Sequence, residues 1–109
     1  MLPRYKRLVS KSDFKKVQVL GRSFKGSFLK IAALPTSHTS QVGVIVSNKV
    51  SKKATARNRI KRTIRSFIED NIDTLDGMYK IVVIAHPASL GANKEELVGD
   101  LETLFSKIK

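Results

Sequence analysis

Residues 56–85 read ARNRIKRTIRSFIEDNIDTLDGMYKIVVIA, and two different periods meet within that stretch. From Ala56 to about Leu75, the residues Ile60, Ile64, Phe67, Ile68 and Leu75 recur at helical spacing and form one apolar stripe. Asp76 and Gly77 then supply a turn. Tyr79 to Ala85, with Ile-Val-Val-Ile at its centre, is a nearly continuous apolar run that suits a strand buried on both sides and ended by Pro87. A helix that buries one stripe and a strand that buries both faces require further elements around them.

Working outward, Asn93 with Glu96 three residues on opens a last helix whose Leu97, Leu101, Leu104, Phe105 and Ile108 keep helical spacing. Upstream, a short helix is expected from about Lys11 to Leu20. Ser10 and Asp13 stand at capping-box spacing, Phe14 and Val17 lie three apart, and Gly21 acts as a stop. Residues 22–34 read as a strand holding Phe24, Phe28, Leu29, Ile31 and Leu34, closed by Pro35 and a polar loop over residues 36–40. Gln41 to Ser47 reads as the next strand, and the loop length suggests an antiparallel pair with its predecessor. The order is α, β, β, α, β, α, with a possible short extra strand early. It predicts one α+β domain over residues 1–109, a two-layer sandwich of three helices on a small mixed sheet.

The 109 residues carry 21 Lys and Arg against 9 Asp and Glu, a formal net charge of +12. The charges are segregated. Residues 1–65 hold 17 of the bases and one acid, Asp13, whereas residues 66–109 hold 4 bases and 8 acids. A solubilising coat mixes both signs, so this asymmetry points to a polyanion. A membrane surface is disfavoured because no basic amphipathic segment leaves a bulky apolar face free for lipid. The absence of Cys excludes disulfides and thiolate metal sites, and no apolar stretch is long enough to span a bilayer. The amino terminus lacks the apolar run of a secretory signal, so cytoplasm is the expected location.

On the central helix, Asn58, Lys61, Arg62 and Arg65 fall at i, i+3, i+4 and i+7 on a flank turned away from the apolar stripe. They span ~10 Å along the axis, the scale of neighbouring phosphates. Guanidinium forks hold phosphate oxygens bidentately, Lys61 offers a point charge, and Asn58 can read a base edge or a 2′-hydroxyl. No acid precedes Glu69 on this helix, so Lys61 and Arg62 have no acidic i, i+4 partner, and Arg65 alone has one in Glu69. Arg57 lies close to the apolar stripe and either precedes the first turn or folds back onto a carbonyl. Lys49, Lys52 and Lys53 in the approach to the helix would extend the patch, Arg59 shares the opening turn, and RNA is the expected partner.

The run from Val46 through Asn48, Lys49, Lys52 and Lys53 to Arg57-Asn58-Arg59 and Arg62, followed by Arg65, resembles the bacterial ribonuclease P protein component. The resemblance extends to Arg7-Leu8, Ser12-Asp13-Phe14, Gly21-Arg22, Phe28-Leu29, Val42-Gly43 and Tyr79 to Ala85. It implies a ribosomal-protein-domain-like fold with a left-handed β-α-β crossover, the opposite of the usual hand. It further implies a non-catalytic subunit of an endoribonuclease that removes the 5′ leader of precursor tRNA, the RNA subunit carrying the chemistry and the Mg²⁺ ions. By position, Arg57, Asn58, Arg59, Lys61, Arg62 and Arg65 would contact the RNA subunit and adjoining leader. Phe14 would line a cleft for the single-stranded leader, together with Gln18, Phe28, Lys30 and Ile31. Gln18 stands where many relatives have an aromatic, Ile31 where many have Tyr, and Asn48 where the pattern has Lys, with Phe24, Phe28 or Lys30 as compensating contacts.

The resemblance implies ribonuclease P RNA and precursor tRNA as partners, without an obligate protein partner. His38 in a loop and His86 after a strand have no carboxylate or Cys at metal or triad spacing, so no protein active site and no metal site are expected. The alternative from charge alone is a ribosome-associated or general RNA-binding protein.

Overall fold

The computed structural model describes residues 11–37, 40–75 and 77–108. Its elements are α1 (Lys11–Leu20), β1 (Arg22–Lys25), β2 (Leu29–Thr36), β3 (Gln41–Ile45), α2 (Ala54–Asn71), β4 (Met78–Ala85) and α3 (Lys94–Ile108), with short 3-10 turns at Ile72–Thr74 and Pro87–Gly91. The strands form one mixed sheet in the order β1-β2-β4-β3, antiparallel except for the β3–β4 pair. Ser10, His38 and Asp76, each read from sequence, lie outside the described residues.

β4 takes a central position because Ile81, Val82 and Val83 are fully buried and need apolar cover on both faces. That placement overturns the expected pairing of the second and third strands. β2 and β3 both pair with β4, which lies between them. The stretch over residues 22–34 is likewise two strands, β1 and β2, folded into a hairpin in which Gly26 N–H donates to Leu29 C=O at 2.7 Å.

Pro35 lies inside β2 instead of ending it, opposite Tyr79. Tyr79 N–H donates away from β2, to Ser40 Oγ at 3.0 Å, so the pair exchanges no backbone bond. The nitrogen of Pro35 therefore points to the side where β1 has already ended, and its missing N–H leaves no ladder bond unmade.

Strand alternation sorts the side chains into two cores. Leu29, Ile31, Ala33, Val42, Ile81, Val83 and Ala85 face α2 and α3, where they meet Ile60, Ile64, Phe67, Ile68, Leu97, Leu101, Leu104, Phe105 and Ile108. Phe67 and Phe105 lock the two helices edge to face, with ring centroids 5.2 Å apart. Ala32 and Val82 face the other way and meet Val17 of α1, with Phe14, Leu34, Ile45 and Ile84 around them. α1 is thus the sole helix among the described residues on that face. Gly21 lets it turn into β1, because a Cβ there would stand 2.4 Å from Val17 O and 2.8 Å from Ala33 O.

The hand of the β3–α2–β4 crossover follows from hydrogen bonding. Since Tyr79 N–H points toward β3, the odd-numbered residues of β4 direct their backbone groups to that side, and Ile81 and Val83 place their side chains under α2. For L residues in a strand pointing up, a side chain facing the viewer goes with N–H and C=O directed to the right. Seen from the α2 side, β3 is therefore right of β4, and the chain moves left as it crosses. The crossover is left-handed, against the general preference.

Candidate nucleic-acid interface

The register brings three basic segments to one end of the sheet. Leu29 opposes Ala85 and Ile45 opposes Ile84, so the β1–β2 hairpin, the exit of β3 and the exit of β4 share that end. The hairpin carries Lys25 and Lys30, the β3–α2 connection carries Lys49, Lys52 and Lys53, and α2 begins there at Ala54. The acids of α2, Glu69 and Asp70, come in its last turn, at the far end of the helix.

The connection is anchored by buried Val46 and Val50, and by Lys49 N–H to Ser47 Oγ and Lys53 N–H to Ser51 Oγ, while the side chains of Lys49, Lys52 and Lys53 are exposed. Lys53 caps α2 through its backbone without a side-chain bond, which leaves the first-turn N–H groups and the positive end of the dipole facing the same side as these lysines.

Along α2, Ile60, Ile64, Phe67 and Ile68 are buried while Asn58, Arg59 and Arg62 are exposed and Lys61 and Arg65 half-buried. Among the described residues, Lys61, Arg62 and Arg65 form no ion pair, and Arg62 and Arg65 border a shallow hollow with Ser66 and Glu69. Two arginines are engaged differently. Arg57 folds back, its Nη1 donating to Ser51 C=O at 2.9 Å, so it closes the β3–α2 turn. Arg59 reaches Leu90 C=O at 3.4 Å, a long bond that ties α2 to the turn before α3 while leaving most of its donors outward.

On the opposite face, Phe14, Lys15, Gln18 and Val19 of α1 line an open depression with Ile45 of β3. Lys25 and Lys30 are direct cross-strand partners, and their neighbours Phe24 and Ile31 face α2 and α3. Both lysines therefore point to the α1 face, in one row with Ile84 and Ile45. Phe14 is half-buried, packing on the small α1 core and lining the depression. Two residues expected in this cleft are elsewhere. Ile31 is fully buried under α2 and α3 because its pleat faces them, and Phe28, in the hairpin bend before β2 begins, packs on that same core. Lys15, Val19 and Ile45 also line the depression, and Lys25 joins Lys30 on the same face, a pairing that follows once Gly26-Ser27 is recognised as a hairpin turn.

A family model described as Ribonuclease P matches residues 2–109. The chain belongs to the ribonuclease P protein family. It is 36% identical to the ribonuclease P protein component of Pseudanabaena sp., over 100% of this chain and 96% of that one. With the Synechocystis sp. protein of the same name it shares 38% identity over 97% of this chain and 87% of that one. The fold matches the RNase P protein of Staphylococcus aureus with a TM-score of 0.86 at 23% identity, covering 95% of both chains. It matches the Thermotoga maritima protein at 0.83 and 24%, covering 94% of this chain and 97% of that one. Family membership places the chain in tRNA processing and implies an RNA partner. No helix among the described residues is long and apolar enough to cross a membrane.

Proposed function

We propose that the chain is the protein subunit of ribonuclease P and that it works by holding two RNAs on the two sides of its sheet. The outward flank of α2, with Asn58, Lys61, Arg62 and Arg65, takes the RNA subunit, joined by Lys49, Lys52 and Lys53. The α1 face, with Phe14, Gln18 and Lys30, takes the 5′ leader of precursor tRNA. The observation that carries this reading is the gathering, at one end of the sheet, of bases from hairpin, connection and α2 that make no ion pair among the described residues, with an open apolar depression beside them. Bases that would repel one another without a counter-charge are expected where a polyphosphate supplies it.

In this reading the protein performs no bond cleavage. It binds and orients, and Mg²⁺ held by the RNA subunit would supply the hydrolytic chemistry. Among the described residues no three His, Asp or Glu side chains converge as metal ligands. The protein's contribution is to neutralise phosphates that would otherwise hold leader and RNA subunit apart, and to keep the leader extended along a fixed path.

The sequence has no Cys, so a photo-crosslinker can be tethered at a single introduced thiol. Attached at Gln18→Cys in the reconstituted complex it should label the leader, and attached at Asn58→Cys it should label the RNA subunit. Labelling of the RNA subunit alone from both positions would overturn the two-sided arrangement.

A further inference from the structure

The β1–β2 hairpin is held from outside itself. Three consecutive backbone N–H groups in its turn converge on the carboxylate of Asp100 from α3: Ser27 N–H donates to Oδ1 at 2.9 Å, and Phe28 and Leu29 N–H donate to Oδ2 at 3.1 and 2.9 Å. Successive amides turned inward make a nest for an anion, and an ionised carboxylate satisfies all three donors at once. The hairpin has been shaped around this contact. A Cβ on Gly26 would lie 2.4 Å from Oδ1 and 2.5 Å from Oδ2, so the carboxylate can approach only a glycine.

The hairpin needs such a restraint. Lys25 and Lys30 stand directly opposite each other, and like charges in that position repel. β1 is only four residues long and lies on the sheet edge, so few ladder bonds oppose that repulsion. Asp100 grips the turn from the α3 side, so its own charge does not neutralise the lysine pair on the other pleat. We propose that Asp100 is a positioning residue for the leader: it holds the hairpin closed and thereby presents Lys25 and Lys30 as a fixed pair on the α1 face. This inference rests on the assignment of the leader to that face.

Two variants break the contact from opposite sides. Asp100→Asn keeps the shape and one acceptor oxygen but removes the charge. Gly26→Ala leaves Asp100 in place and pushes its carboxylate off the three amides, at small cost elsewhere because the displaced atoms end a side chain. The measurement is the affinity of the complex with ribonuclease P RNA for leader-bearing precursor tRNA divided by that for leaderless tRNA, beside the affinity for the RNA subunit. Each variant should lower the ratio about threefold to tenfold, leave RNA-subunit binding unchanged, and add no further loss in a Lys25→Ala/Lys30→Ala background. Charge alone predicts the opposite sign, since Asp100→Asn makes the protein more positive and should strengthen polyanion binding.

Equal losses on leader-bearing and leaderless substrates would reduce Asp100 to a stability role and overturn the proposal. So would an unchanged ratio in both variants when Lys25→Ala/Lys30→Ala lowers it. If the double lysine variant itself leaves the ratio intact, the leader assignment of the hairpin falls and the positioning role falls with it, a pattern distinct from the other two.

Discussion

Arg57 and Arg62 lie within one turn and a half of each other on α2, yet the structure uses them differently. Arg57 donates to Ser51 C=O, whereas Arg62 is exposed and makes no ion pair among the described residues. Replacing Arg57 by Ala should cost about 1 kcal/mol of stability through the lost bond and leave the salt dependence of RNA binding little changed. Arg62→Ala or Arg65→Ala should do the reverse, with melting unaltered and the slope of log affinity against log salt flattened by roughly 0.7 to 0.9 for each lost phosphate contact. Titrations at several salt concentrations, paired with thermal melts, separate the two classes. At the depression beneath α1, Gln18→Phe adds an aromatic surface next to Phe14 and Val19. It should strengthen binding of leader-bearing substrate by up to about 1 to 3 kcal/mol through base stacking, and a folded variant without that gain would count against the leader path.

The elements differ in what secures them. α3 begins with a reciprocal capping box, Glu96 N–H donating to Asn93 Oδ1 at 2.8 Å and Asn93 N–H to Glu96 Oε1 at 3.1 Å, so Asn93→Ala should cost about 1 kcal/mol. α1 depends on Gly21, where a Cβ would meet backbone carbonyls on both sides. Gly21→Ala should therefore lower the melting temperature and weaken leader binding while sparing RNA-subunit binding, because α2 packs on the other face; loss of both would show that the two faces do not respond separately. The capping box and the stripes of α2 and α3 were legible in sequence because each is local, a matter of spacing along one helix. The hairpin over residues 22–36 is legible only as a possible extra short strand, because Phe24 and Phe28 suit one continuous strand and the turn depends on a carboxylate more than seventy residues away. Ile31, which the family resemblance places in the cleft, sits on a pleat that turns away from it.

At the scale of the molecule, the partners of each strand depend on competition for the centre of the sheet. The apolar run of β4 displaced β3 from the side of β2, and the resulting left-handed crossover sets α2 on the face opposite α1. Family resemblance supplied that hand; periodicity could not, since the same helix and strands are compatible with either. Charge segregation was plain from the sequence, but its geometry was not: the register is what gathers Lys25 and Lys30 with the β3–α2 connection at the end of the sheet from which α2 starts. The most direct test is cleavage of precursor tRNA by the cognate ribonuclease P RNA at low Mg²⁺, with and without this protein. The protein should raise the rate of cleavage at the mature 5′ end and should cleave nothing without the RNA. Unchanged RNA-dependent cleavage at every Mg²⁺ concentration, or cleavage by nuclease-free protein alone, would contradict it.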